Sequence, residues 1–214
     1  MDTKKIRVII VDDHAILRSG IKQILMASGD IDVVGEAENV AQALKCVREI
    51  DADVMLLDIS LPDKTGIEAL KLIKRENAAL NILMLSMYME DQYAVRSIRS
   101  GASGYLCKHT ASEELLTAIQ TLAKGRKYIT ANVAEILAEQ VGNEHAAALH
   151  ESLSDREFQV MRMIASGLSV GEIADKLALS VKTVSMYRTR LLEKMNLKHN
   201  ADITHYAIKN QLVE

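Results

Sequence analysis

The sequence predicts an α/β domain built on a doubly wound, five-stranded parallel sheet of order 2-1-3-4-5, followed by a smaller all-α domain of four helices. Three observations carry this. Residues 5–124 alternate five short β-rich runs with five helical patterns. The runs are apolar on successive residues, as expected of strands buried on both faces of a parallel sheet. Residues 153–214 show no strand pattern at all.

The strand runs are IRVIIV (6–11), DVVGEA (32–37), DVMLL (53–57), NILMLS (81–86) and GYLCK (104–108). Between and after them, 14–28, 39–50, 65–77, 90–100 and 112–124 repeat apolar residues at i, i+3 and i+4. In the first of these helices, Ile16, Gly20 and Ile24 run beside Leu17, Ile21 and Leu25. Five such βα units imply a three-layer fold, and function then collects beyond the carboxyl ends of the strands. Gly125 ends the fifth helix, 130–140 reads as a short extra helix, and 141–152 reads as a linker. The C-terminal helices are expected at 155–166, 170–177, 181–196 and 201–212. Ser154 with Glu157 forms a capping box, Ser180 caps the third, and Gly167 stops the first.

Composition bounds the function. The 214 residues include one Pro, one Phe and no Trp, while ten Met supply adaptable core filling. No apolar run approaches the roughly 20 residues needed to span a bilayer. The N-terminal run Ile6–Val11 is shorter than a signal-peptide core and ends in acids, so a cytoplasmic protein is expected. Cys46 and Cys107 are too few for a disulfide framework and lack metal-site spacing. The net charge of −3 argues against nucleic acid, but its distribution argues for it. Residues 180–198 carry Lys182, Arg188, Arg190, Lys194 and Lys198 against the single acid Glu193.

Asp12 and Asp13 follow the first strand, Asp58 the third, Ser86 the fourth and Lys108 the fifth. Taken singly, each has an ordinary reading as a solvated turn residue, a helix cap or a surface lysine. Taken together, four of the five strands place three acids, a hydroxyl and an ammonium on one rim. Three nearby carboxylates repel one another. A hard dication such as Mg²⁺, which takes a few carboxylates with waters and phosphate oxygens, relieves this. A carboxylate there can act as nucleophile and form an aspartyl phosphate.

These residues resemble the receiver domains of bacterial two-component response regulators, through VDDH (11–14), LLDISLPDKTG (56–66), MLS (84–86) and GASGYLCK (101–108). The resemblance implies a flavodoxin-like receiver over 1–124 with Asp58 as phosphoacceptor. It implies Mg²⁺ held by Asp13, Asp58 and the Ser60 carbonyl, with Asp12 acting through water. It further implies Ser86 and Lys108 on the phosphoryl oxygens, and Tyr105 as an aromatic switch that turns inward. Two departures stand out: Asp63-Lys64 in the loop after the acceptor, and Met87 after the switch serine, where a larger side chain would narrow access.

Residues 152–197 resemble the helix-turn-helix of the LuxR/NarL/FixJ class, through LSDRE (153–157), EIADKLALS (172–180), KTV (182–184) and L-x-x-K-M-N-L (191–197). Tyr187 replaces the usual His, and the T-V-x-x-Y-R pattern at 183–188 looks closest to the GacA/UvrY subgroup. Helix phase at about 100° per residue puts Val184, Leu191 and Met195 on a core arc, with Val181 and Leu192 at its margin. Lys182, Ser185, Met186 and Thr189 fall on the opposite arc, with Arg190 at its border. Ser185, Met186 and Thr189 are therefore expected on base edges, and Lys182, Thr183 and Arg190 on phosphates. Arg188 lies nearer the core arc; its stem is expected to pack and its head to reach a phosphate.

The resemblance implies a non-enzymatic transcription regulator. Its partners would be a sensor histidine kinase, an inverted-repeat promoter site on double-stranded DNA, a second copy of itself on phosphorylation, and RNA polymerase as a candidate. The first and fifth helices, or the fourth–fifth face, would pair the receivers. The segment 153–214 is the expected DNA-binding domain, with Ile203, Tyr206 and Ile208 as its pairing surface; 125–152 joins the two. The alternative is a ligand-sensing LuxR-type activator without phosphorylation, but its pocket needs aromatics, and the N-terminal half is poor in them. An Asp-nucleophile hydrolase of the common kind needs a second Asp where Ser60 stands, and no kinase signature is present.

Overall fold

In a computed structural model of the chain, residues 4–87, 92–109, 112–142, 148–210 and 212–213 are described. The chain divides into two compact units, Met1–Glu139 and Gln140–Glu214. In the first, strands β1 (Ile6–Val11), β2 (Ile31–Ala37), β3 (Val54–Asp58), β4 (Asn81–Ser86) and β5 (Gly104–Cys107) form one sheet in the order β2-β1-β3-β4-β5. Every pairing is parallel. The helices are α1 (Ala15–Ala27), α2 (Val40–Glu49), α3 (Gly66–Glu76), α4 (Gln92–Arg99) and α5 (Ser112–Ala123). The expected start of the fourth helix at residue 90 lies outside the described residues.

The unbroken apolar runs have a plain cause. Val8, Ile10, Leu56, Leu83 and Leu85 pack with Ile21 and Leu25 of α1 and with Leu115, Ile119 and Leu122 of α5. The alternate residues Ile9, Met55, Leu57, Ile82 and Met84 are equally buried and point to the opposite face. Both faces are covered, so neither parity of the strand is free to be polar. Only one apolar row of α1 meets the sheet: Ile16, on the other row, is 90% exposed. After α5 the backbone returns to the sheet edge, where the Tyr128 N–H donates to the Ser103 carbonyl at 2.9 Å.

Helix α6 (Ala131–Gly142) is followed, beyond residues outside the description, by a 3₁₀ turn at Leu149–Ser152. The second unit then holds α7 (Asp155–Ala165), α8 (Val170–Lys176), α9 (Val181–Met195) and α10 (Asn200–Lys209). Reciprocal capping boxes start α7 (Ser154 with Glu157) and α8 (Ser169 with Glu172), and the Ser180 side chain caps α9. Gly167, at φ +88°, ends α7 as expected. Phe158, Met161, Ile173, Val184, Leu191 and Ile203 form the core. The 3₁₀ turn is part of this unit: His150 is buried, its Nδ1 lies 2.9 Å from the Tyr206 hydroxyl, and its ring abuts Phe158. Ile203 and Tyr206 are thus engaged within the unit rather than offered to a partner. Of the three residues expected on a pairing surface of α10, only Ile208 is a largely exposed apolar side chain, at 55%.

One glycine governs the loop that follows Asp58. Its N–H donates to the Ile59 carbonyl at 2.7 Å, and a Cβ on Gly66 would sit 2.0 Å from the Asp58 carbonyl oxygen and 2.7 Å from the Ile59 Cα. Both neighbours are backbone and cannot rotate away. Gly66→Ala is therefore expected to lower the stability of the first unit by about 3 kcal/mol or more, beyond ordinary overpacking. Urea unfolding followed by far-UV circular dichroism measures it; an unchanged midpoint contradicts the close approach.

Candidate functional site

The parallel order brings the carboxyl ends of β1, β3, β4 and β5 side by side, because Val11 pairs with Leu57, Asp58 with Leu85, and Ser86 with Cys107. Asp12 and Asp58 are both buried at this rim. Between them lies the Lys108 ammonium, 2.7 Å from Asp12 Oδ2 and 2.8 Å from Asp58 Oδ2, with all three side chains no more than 3% exposed. The Lys108 N–H donates to the Ser86 carbonyl at 2.6 Å, which fixes the root of the lysine to the end of β4. One ammonium does not neutralise two buried carboxylates. Burial pushes the Asp58 carboxyl up to about 6; Lys108 opposes the shift, and Asp12 adds to it. The Ser60 N–H, pointing back at the same carboxylate, lowers it again.

Asp13 sits at the mouth of the pocket with about a third of its side chain exposed (32%). The donor atoms of Asp12, Asp13, His14 and Asp58 all lie within 4.8 Å of one another. Among the described residues, Oδ2 of Asp12 and of Asp58 is buried and meets no donor except the Lys108 ammonium. Carboxylates so concentrated and so poorly supplied with donors fit a divalent cation. The structure therefore brings together Asp12, Asp13, Asp58, Ser60, Ser86 and Lys108 as the sequence groups them. Tyr105, paired with Met84 two residues before the end of β4, is buried.

Two residues at this rim were not singled out in the sequence. His14 turns its ring onto the acids, with Nδ1 2.6 Å from Asp13 Oδ1. Its place in VDDH is the signal that could have found it. Asp63, noted only as a departure, has a structural use: both its carboxylate oxygens accept from the Val40 N–H, at 3.1 and 3.0 Å, anchoring the loop after β3 to the start of α2. Met87 is 56% exposed beside the rim.

The second unit carries a different surface. Helix α9 buries Val184, Leu191, Leu192 and Met195, while Lys182, Ser185, Met186, Thr189 and Arg190 are exposed, matching the expected phase. Val181, placed at the core margin, is instead 55% exposed, because it is the first residue of the helix. Thr183 is half-buried; its N–H donates to Ser180 Oγ at 3.0 Å. Arg188 is also half-buried, and its Nε donates to Asn200 Oδ1 at 2.6 Å. Asn200 thus orients a guanidinium, a role with no local sequence signal. Lys194 pairs with the buried Glu157 at 2.7 Å. Burial raises the Glu157 carboxyl, but Lys194 and Ser154 outweigh it and hold the group below its usual range. One of the five basic residues of the run is thus committed to the α7 cap.

A doubly wound domain with an acidic, lysine-bridged pocket, joined to a helix-turn-helix, defines a two-domain regulator of the signalling class. The comparisons agree. The receiver-domain family of response regulators matches residues 8–120, and the luxR family of bacterial regulatory proteins matches 151–207. Response regulator UvrY of Escherichia coli K12 is 39% identical over 97% of this chain and 95% of its own. Response regulator GacA of Pseudomonas aeruginosa is 34% identical over 98% of each. Among solved structures, RcsB of Salmonella enterica serovar Typhimurium, bound to promoter DNA in the presence of phosphomimetic BeF3⁻, aligns with TM-score 0.63 at 31% identity, covering 95% of this chain and 98% of that one. The chain belongs to the NarL/FixJ family of response regulators.

The raised Asp58 carboxyl sets a pH dependence. The folded unit holds this proton more tightly than the unfolded chain, whose aspartate titrates near 4. The stability so gained is present at low pH and is lost as pH rises from about 4 to about 6. Asp58→Asn removes the ionisable group. Without added divalent cation it is expected to be more stable than wild type at pH 7.5, by on the order of 2–3 kcal/mol, with the gap closing toward pH 4. Denaturant midpoints at the two pH values check this; a gap that widens on acidification contradicts it.

Proposed function

We propose that this protein is a phosphorylation-controlled transcription regulator, in which Asp58 accepts a phosphoryl group from a sensor histidine kinase and α9 reads DNA. The observation that carries the reading is the Lys108 ammonium held between the buried carboxylates of Asp12 and Asp58. An ammonium so placed can follow charge from a carboxylate to the oxygens of a group added to it. Asp58 Oδ forms the new O–P bond as the N–P bond of the donor phosphohistidine breaks, giving an acyl phosphate. With its carboxyl near 6, Asp58 is predominantly the nucleophilic anion at neutral pH.

Asp13, Asp58 and the Ser60 carbonyl would hold Mg²⁺ directly, and Asp12 through water. When bound, the ion supplies charge neutralisation for carboxylates and phosphoryl oxygens in the same pocket. The Ser86 hydroxyl, at the end of β4, would bind a phosphoryl oxygen, and the buried Tyr105 of β5 would act as the switch. Ser60 stands two residues after Asp58, where a common class of Asp-nucleophile hydrolases carries its acid/base Asp, so the reading is of a site that stores a phosphoryl group rather than turning substrate over. No described helix is long and apolar enough to cross a membrane; the reading places the protein in the cytoplasm.

Phosphorylation is proposed to favour a homodimer, and the exposed Ile16 row favours α1 with α5 as the pairing face. Two readers related by a two-fold axis call for an inverted-repeat promoter site with half-sites about one helical turn apart. RNA polymerase is then a candidate partner at the promoter. On α9, Ser185, Met186 and Thr189 face base edges. Lys182, Thr183, Arg190 and the Asn200-braced Arg188 face phosphates.

Two experiments test the two halves. Wild type and Asp58→Asn are incubated with a small-molecule phosphodonor, with and without Mg²⁺, and their intact masses are read. One phosphoryl group is expected on wild type with Mg²⁺ and none on the variant; equal gains in both contradict the acceptor assignment. For the DNA half, salt titrations on specific and random duplexes are run with Lys182→Ala and Thr189→Ala. Lys182→Ala should weaken all duplexes and flatten the slope of log K against log salt by about 0.9 per reader. Thr189→Ala should instead change sequence preference, by roughly 1–3 kcal/mol at its base pair. The reverse pattern contradicts the assigned face.

A further inference from the structure

We propose that His14 is a ligand of the acidic pocket, so that the pocket takes a first-row transition dication of the imidazole-binding kind (cobalt, nickel or zinc) in competition with magnesium. The inference rests on the reading of the pocket as a metal site and concerns which metals it accepts.

The placement of His14 is the first argument. It is the residue that begins α1, at φ −86° and ψ 100°, yet its side chain makes no capping hydrogen bond. The imidazole turns back over the rim instead, with Nδ1 2.6 Å from Asp13 Oδ1 and 3.4 Å from Asp12 Oδ1. The turn is held by the backbone, since the His14 N–H donates to Asp12 Oδ1 at 2.8 Å. The ring is therefore delivered to the pocket by the chain path of the V-D-D-H segment, not by a contact with solvent.

The spacing is the second argument. In an octahedral complex with bonds near 2.1 Å, neighbouring donors lie about 3.0 Å apart and opposite donors about 4.2 Å apart. The two His14 separations straddle the first figure, and all four residues offer donors within 4.8 Å of one another. Closing the widest separation to the opposite-donor spacing takes a shift of about 0.6 Å at most. The buried Oδ2 atoms of Asp12 and Asp58, touched among the described residues only by the Lys108 ammonium, independently mark the interior of the same pocket as under-supplied with positive partners.

The chemistry of the donor set is the third. Magnesium prefers carboxylate, carbonyl and water oxygens, whereas imidazole suits zinc, nickel and related ions, whose affinities for mixed nitrogen and oxygen sites rise along the first transition row. Adding His14 Nδ1 to Asp12, Asp13 and Asp58 moves the set from the first kind toward the second. A transition dication would draw on the same carboxylates that magnesium needs, and His14, with 67% of its side chain exposed at the mouth, would close over it.

The test uses the full chain, with Co²⁺ and Mg²⁺ as probes. Calorimetry gives the affinity of each for wild type, His14→Ala and Asp58→Asn, and proton NMR of the Co²⁺-loaded protein looks for a strongly shifted, exchangeable imidazole N–H. The expected result is a Co²⁺ site that excess Mg²⁺ displaces and Asp58→Asn weakens, with the shifted signal present. His14→Ala should lose this signal and on the order of tenfold in Co²⁺ affinity, with Mg²⁺ affinity unchanged. Mg²⁺-displaceable Co²⁺ binding that His14→Ala leaves intact overturns the role of His14 alone. Failure of Mg²⁺ itself to bind wild type overturns the metal pocket on which the inference stands.

Discussion

The receiver is organised around one ammonium between two buried carboxylates. Lys108 reaches Asp12 and Asp58 from the end of β5, across the end of β4, and no more than 3% of any of the three side chains meets solvent. Such an arrangement holds only if the strand ends are level, since a one-residue slip turns a side chain to the opposite face of the sheet. The register of β1 with β3, the pairing of β4 with β5 and the Lys108 N–H bond to Ser86 all serve that levelling. Two carboxylates against one ammonium leave a net negative pocket, and such a pocket favours added positive charge.

The acceptor loop is held with the same economy. Gly66 lets the chain pass within contact of the Asp58 carbonyl, and Thr65 with Glu68 starts α3 directly afterwards through a full capping box. Asp63 ties the outer bend of the loop to the first free N–H of α2. The carboxylate at 58 is thus set by backbone on both sides, so binding at the pocket has little slack to absorb before it moves neighbouring elements. In the helical unit the rigid part is the start of α9. Ser180 caps it, Ala178 takes the left-handed turn before it at φ +50°, and four buried apolar residues fix its rotation. A reading face needs this, because a rotation of one residue step, about 100°, would exchange Thr189 for Arg188.

Much of this was legible in the sequence because it is written locally. Strands buried on both faces must be apolar at every step, so the first polar side chains after the runs, Asp12, Asp58, Ser86 and Lys108, mark the ends of β1, β3, β4 and β5. Caps such as Ser154 with Glu157 are three residues apart. The rotation of α9 follows from Val184, Leu191 and Met195. What was not legible depends on contacts between distant segments. Leu17, Ile21 and Leu25 on one row of α1 look no different from Ile16, Gly20 and Ile24 on the other, and only the sheet decides between them. Lys194 counts as basic surface until Glu157, 37 residues away, claims it. Asp63 looks out of place until the start of α2 is beside it, and the bracing of Arg188 by Asn200 joins two helices across a turn. Tyr206, apolar-looking in the pattern, is drawn inward by a histidine from the segment read as linker.

The account joins chemistry in one unit to recognition by the other, and one measurement addresses that join directly. The affinity of the full chain for an inverted-repeat site is measured with and without a phosphodonor, at matched salt and Mg²⁺, for wild type and Asp58→Asn. The account predicts that the donor tightens binding by wild type, together with dimer formation, and leaves the variant unchanged. Equal affinity for phosphorylated and unphosphorylated wild type would contradict it.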